Sequence, residues 1–321
     1  MRGIFTMRCV LCLRWCAGTS LLRYSHLNAA LETKLSFEVV ILKKTFLQMK
    51  NAYQKMDFSK LSQEEVQQKL YTVLESKKIS FKFGEITLND DSYFVRVRTE
   101  NDGQPYNHYD EFWAPPANST TLGRCNKDKQ PKLYTVVGTN INRDLISVTE
   151  ETNLGPGSSF VVIVYKLKSP LTVPISLDLF PSIDTTQTKT NSVSKFLISE
   201  FTVNPEHGIK DRYKSTVAIS ELMMNPDGHR SKVPAFCYPS CALNRALKTE
   251  GNGVVNIAWE PDFAMEHLKI ETLRRVRVDW DTEWNLGSSL EESKKSSGVY
   301  IGERGEILSD GSVVWFNVES K

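Results

Sequence analysis

The chain has 321 residues, 40% hydrophobic and 24% charged, with 40 Lys and Arg against 38 Asp and Glu and a formal net charge of +2. This composition excludes wholesale disorder and collagen-like repeats, and the charge balance is wrong for a dedicated nucleic-acid surface. No run reaches the roughly 18 apolar residues that a transmembrane helix needs, so neither nucleic acid nor membrane is expected as a partner.

Residues 1–27 read as an N-terminal extension. MRGIFTMRCVLCLRWCAGTSLL imitates a signal peptide, but Arg8 and Arg14 interrupt its apolar run and no small-x-small cleavage site follows. An upstream extension before a start at Met7 or Met49 fits as well, and a cytoplasmic location is expected. Cys9, Cys12, Cys237 and Cys241 could supply four thiolates to zinc. Their loose second spacing and wide separation favour reduced, packed thiols, so no metal is expected.

Residues 28–78 read as a helical arm. Ser62 followed by Glu65 forms a capping box, and Val66, Leu70, Val73 and Leu74 then recur on one face at helical spacing. From residue 79 to 285 the texture changes to short strands rich in β-branched and aromatic residues, over 79–83, 92–98, 132–137, 160–165, 253–259 and 275–279. Gly, Pro, Asn and Asp clusters separate them, and helical patterns interrupt at 141–151 and 216–224. Strands and helices without regular alternation predict an α+β fold. Residues 286–321 read as a linker and a C-terminal hairpin turning at Asp310-Gly311. The chain carries no internal repeat, and no Walker loop, GxGxxG, HExxH or nucleophile elbow.

Polar positions with chemical potential stand out in this background. Gly123 allows a tight turn, beside which Arg124 presents a planar fork of donors to phosphate or carboxylate, or simply an exposed loop cation. Tyr134 is either a half-buried packing residue or a flat ring for a ligand base. With Ile141, Leu145 and Val148 as the apolar face, Glu150 points to solvent. Glu151 falls on the flank, at a cleft edge or in a surface ion pair. Pro239 fixes the backbone before Ser240, which suits a hydroxyl that bonds a ligand or orients a carboxylate. None of the five histidines is placed to activate Ser240 as a nucleophile.

The order of these elements resembles the RES domain family, named for an arginine, a glutamate and a serine. Residues 94–98 look like its opening block, Gly123 to Tyr134 the next, Glu151 keeps its distance to Pro156-Gly157, and Tyr238-Pro239-Ser240 with Gly253-x-x-Asn256 supply the last. The resemblance spans residues 90 to about 280. It implies an ADP-ribosyltransferase-like split mixed or antiparallel sheet with flanking helices, and an NAD-consuming enzyme that cleaves the nicotinamide–ribose bond as an NAD phosphorylase or glycohydrolase. Such members act as toxins or defence effectors, and the implied partners are NAD, a phosphate co-substrate and an antitoxin or immunity protein. NAD is substrate there, with no prosthetic group. Carried over, Arg124, Glu151 and Ser240 would be the catalytic set. Arg96, Gly123, Asn126, Tyr134 and Asn256 would line the NAD site. Transfer of ADP-ribose to a protein, and a non-catalytic ligand-binding role, are the alternatives.

Overall fold

The computed structural model describes residues 46–75, 81–100, 104–138, 158–180, 192–203, 210–224, 233–240, 255–278 and 299–317. The helical pattern at 141–151, including Glu150 and Glu151, lies outside the described residues, as do the N-terminal cysteines, Cys241 and the 286–298 linker.

The protein is α+β. Among the described residues, eight antiparallel strands form one sheet in the order β10-β9-β8-β4-β2-β3-β7-β6, and β1 pairs with β5 in a separate two-stranded sheet. The strands are β1 (Phe83–Leu88), β2 (Tyr93–Thr99), β3 (Leu133–Gly138), β4 (Ser159–Leu167), β5 (Leu171–Ser176), β6 (Ala235–Pro239), β7 (Val255–Trp259), β8 (Leu268–Val278), β9 (Val299–Ile307) and β10 (Val313–Asn317). Helices are α1 over residues 46–54, α2 (Gln63–Glu75), α3 (Ser192–Phe201), α4 (Tyr213–Met224) and α5 (Pro261–His267).

β4 explains why the sheet has two covered faces. Its sequence SFVVIVYKL is apolar at nearly every position, which is the pattern of a strand buried on both sides. Val161, Ile163 and Tyr165 join the main core cluster with Phe94, whereas Phe160, Val162 and Val164 join Val95, Val97, Val136 and Val276 on the other face. Successive side chains of a strand point to opposite faces, so Arg96 and Arg98 stand on the Phe94 side.

The arm packs on the main body. The capping box forms: the Glu65 amide donates to Ser62 Oγ at 3.1 Å, and the Ser62 amide donates to Glu65 Oε2 at 2.7 Å. The expected apolar stripe of Val66, Leu70, Val73 and Leu74 is buried. α2 lies on α4, with Gln63 Nε2 donating to the Lys214 carbonyl at 3.0 Å.

The C-terminal hairpin turns where expected, and Gly311 takes a φ of +84°, which glycine adopts without steric cost. The hairpin extends the main sheet, because β9 pairs with β8 along Leu273–Val278. Arg275 ties this junction, donating from Nε to Glu100 and from a terminal nitrogen to Glu303 at 2.7 Å. Among the described residues no helix is long and apolar enough to cross a membrane.

Candidate functional site

Four stretches singled out in the sequence fall on adjacent strands. The opening block is β2, Tyr134 is on β3, Asn256 is on β7, and Tyr238-Pro239 closes β6. These strands are consecutive in the sheet. Val136 pairs with Asn256 and Asn256 with Tyr238, so pleat alternation sets Tyr134, Asn256 and Tyr238 on one face. The Tyr134 and Tyr238 rings meet edge to face with centroids 6.5 Å apart.

The loop before β3 closes over the Tyr134 hydroxyl. That hydroxyl accepts the Cys125 amide proton at 2.9 Å and donates to Asn126 Oδ1 at 2.6 Å. Asn126, 3% exposed, donates from Nδ2 to the carbonyls of Thr121 and Lys127 at 2.8 and 2.9 Å. Burial pushes the Tyr134 phenol well above its ordinary range, reinforced by the nearby Cys125 thiol. The residue as a whole is partly exposed, although its hydroxyl is engaged by Cys125 and Asn126.

Gly123 sits in this node for a reason the sequence did not show. Its φ is not positive, so a left-handed turn does not explain it. A Cβ there would lie 2.3 Å from Asn126 Oδ1, closer than real contacts permit, and in a tight 3.1 Å contact with the Tyr134 hydroxyl.

Arg124 is a held side chain, not a solvated loop cation. One terminal nitrogen donates to the Phe201 carbonyl at 2.6 Å and the other to the Val203 carbonyl at 3.2 Å, with the guanidinium carbon 5.2 Å from the Tyr213 ring centroid. The last carbonyls of a helix lack intrahelical partners, which is why the end of α3 can receive a guanidinium. The Phe201 ring packs at 5.5 Å on Tyr238, so Arg124 adjoins the Tyr134–Tyr238 face. Nothing in the local sequence pointed to Phe201, Val203 or Tyr213, since all three come from distant segments.

Other carried-over residues are placed differently. Arg96 is on the opposite face from Tyr134, where it donates to the Trp113 carbonyl at 2.7 Å. Burial lowers its pKa, and Tyr165 opposes that shift. Beside it, Arg98 lies over Tyr106 at 4.5 Å. Ser240 and Asn256 are both buried, each 2% exposed. Ser240 follows Pro239, which pairs with Val255, so it lies toward the end of the sheet where β2 begins. Tyr134 lies toward the end where β2 finishes. The structure thus gathers Gly123, Arg124, Asn126 and Tyr134 into one node, sets Asn256 on the same face, and separates Arg96 from them.

The remaining chemistry of the neighbourhood is limited. Cys125 and Cys237 are buried free thiols whose pKa burial raises to about 12, so neither is a thiolate at neutral pH. Among the described residues no group of His, Cys, Asp and Glu is arranged to hold a metal. A cavity of about 600 Å³ lies between α2, α4 and residues 125–132, and Lys127, Lys129, Lys132, Glu221 and Glu260 line it. Cys125 and Asn126 contribute to its wall, but Arg124, Tyr134 and Ser240 do not. Its cations are largely spoken for: Lys127 pairs with Glu221 at 2.8 Å, and Lys132 pairs closely with Glu260. We place the candidate site on the Arg124–Tyr134 side, because that is where sequence-distant polar residues converge.

No family model, curated protein or solved structure matches the chain.

Proposed function

We propose that the protein is a RES-type enzyme that consumes NAD by cleaving the nicotinamide–ribose bond, on an ADP-ribosyltransferase-like α+β fold. The observation that carries this reading is the convergence described above. Blocks far apart in sequence lie on consecutive strands, with Tyr134, Asn256 and Tyr238 on one face and the Arg124 guanidinium beside them. Glu151, which the resemblance implies as the catalytic residue, is the carboxylate of this proposal.

The chemistry asks for few groups. Breaking the nicotinamide–ribose bond passes through an oxocarbenium-like transition state, which a carboxylate near the anomeric carbon stabilises. Nicotinamide leaves neutral from a cationic ring and needs no general acid, so the motif blocks can do this chemistry without a histidine. Tyr134 offers a ring for the base or nicotinamide, Asn256 offers a hydrogen bond, and Arg124 offers positive charge to the pyrophosphate; Ser240, at the other end of the sheet, enters as a support of β6. Arg96, on the far face, enters this scheme only as a support of β2. Action as a toxin or defence effector, restrained by an antitoxin or immunity protein, belongs to the same proposal.

Binding tests the assignment of Arg124. With Glu151→Gln introduced to block turnover, calorimetric titration should detect NAD binding. Adding Arg124→Lys should weaken it by about tenfold, since an ammonium cannot replace a planar fork. Equal affinity with lysine would move Arg124 to a purely structural role.

A further inference from the structure

We propose that the N-terminal arm positions Arg124 through the buried carboxylate of Glu200, making Tyr53 and Gln54 positioning residues of the site. This rests on the reading of Arg124 as a substrate-binding cation.

Glu200 sits near the end of α3 with its side chain 1% exposed. A carboxylate that deep must be paired or fully hydrogen-bonded, and most of its partners lead back to the arm. Gln54 Nε2, from α1, donates to Glu200 Oε1 at 3.0 Å and to Ser199 Oγ at 3.2 Å. Tyr53 donates its hydroxyl to Ser215 Oγ at 2.8 Å, and Ser215 donates in turn to Glu200 Oε2 at 2.8 Å. Arg212 approaches Glu200 Oε1 at 3.5 Å, donates to the Gln54 carbonyl at 3.0 Å and lies over the Phe58 ring at 4.8 Å. The arm, α3 and the start of α4 therefore share one buried polar network.

The Phe201, Val203 and Tyr213 contacts of Arg124 all branch from this network within a few residues. Phe201, whose carbonyl accepts at 2.6 Å, follows Glu200 directly, and Val203, accepting at 3.2 Å, comes soon after. Tyr213, under the guanidinium, follows Arg212. Shifting Glu200 or Arg212 moves the two carbonyls and the ring on which Arg124 rests. Displacing those supports changes how the guanidinium meets a pyrophosphate held alike in ground and transition states, so an arm that touches no substrate still governs binding.

The test compares two arm variants. Gln54→Leu keeps the side-chain bulk but, among the described residues, leaves Glu200 Oε1 with the long Arg212 contact. Ser62→Ala removes the cap of α2, weakening the same arm without touching Glu200. Hydrogen exchange is read at the Cys125 amide, whose proton is held by Tyr134, with each variant at the same interval below its own melting temperature. Exchange there should quicken about tenfold in Gln54→Leu and remain near wild type in Ser62→Ala. In parallel, KM for NAD should rise about fivefold in Gln54→Leu with kcat within about twofold, the pattern of lost uniform binding. Should Gln54→Leu fail to fold, Tyr53→Phe removes one bond of the network without opening a cavity, and the same readouts apply. Equal exchange at Cys125 in arm variants that do and do not touch the network would overturn the proposal. Absence of NAD turnover in the wild type would instead overturn the NAD reading, while the exchange result would still decide whether the arm positions Arg124.

Discussion

Glu151→Gln is expected to lower NAD turnover by about two to four powers of ten, the equivalent of about 3–5 kcal/mol of transition-state charge stabilisation. Glu150→Gln is expected to stay near wild type. The two residues are neighbours, so general effects on local folding would strike both, whereas only one can face the anomeric carbon. The helical phase in the sequence sets Glu150 opposite the Ile141, Leu145 and Val148 stripe and Glu151 on its flank. Glutamine preserves size and hydrogen bonding while removing the negative charge. Single-turnover rates of the two variants decide the matter: equal or reversed losses would reject Glu151 as the carboxylate.

The second large effect falls on Gly123. Gly123→Ala would bring a methyl within 2.3 Å of Asn126 Oδ1. The amide cannot swing aside cheaply, because its nitrogen holds two carbonyls and its oxygen receives the Tyr134 hydroxyl proton. Relieving the clash leaves at least one buried polar group without its partner, at about 1–3 kcal/mol each, and displaces the loop that carries Arg124. A loss of about 3 kcal/mol in unfolding free energy is expected by denaturant titration, together with loss of NAD affinity. An unchanged midpoint would mean that the loop has slack, and the node would no longer qualify as pre-organised.

Local signals in the sequence located much of the fold. The Ser62–Glu65 cap, the apolar stripe of α2, the unbroken apolar run of β4 and the Asp310-Gly311 turn each express a preference that neighbouring residues settle among themselves. Elements that rely on distant partners escaped. β5 contains Pro174, which argues against a strand, yet Pro174 pairs opposite Glu85 in a two-stranded sheet with room for a missing donor. β6, not among the strands expected from the sequence, ends in Pro239 and among the described residues is an edge strand, where the lost amide is tolerated. α3 has an apolar period at Val193, Phe196, Leu197 and Phe201 that its serines and β-branched residues obscure. α5 spans only seven residues, too few for a periodic signal. Of the strand expected at 79–83, residues 79–80 lie outside the described residues and 81–82 are not strand; β1 begins at Phe83, where pairing with Ser176 starts.

The site divides along the same line. Gly123, Arg124 and Tyr134 could be singled out from residue type and order, and the Gly123–Asn126 loop meets the Tyr134 hydroxyl. Their partners could not: the Phe201 and Val203 carbonyls, the Tyr213 ring and the Glu200 network depend on how α3 and α4 pack. Arg96 shows the converse. Its spacing in β2 is right for a second cation, but pleat alternation turns it to the Trp113 carbonyl on the other face.

The most direct test of the central claim is to incubate the purified protein with NAD, with and without inorganic phosphate, and to follow nicotinamide release with mass spectrometry of the ribose product. Water would benefit from a general base, which none of the residues gathered at the site supplies, whereas phosphate arrives anionic and needs only to be oriented. The account predicts stoichiometric nicotinamide release, faster with phosphate, and accumulation of ADP-ribose-1″-phosphate. Free ADP-ribose at a rate indifferent to phosphate would make the protein a glycohydrolase. NAD recovered intact at protein concentrations high enough for a single turnover would contradict the account.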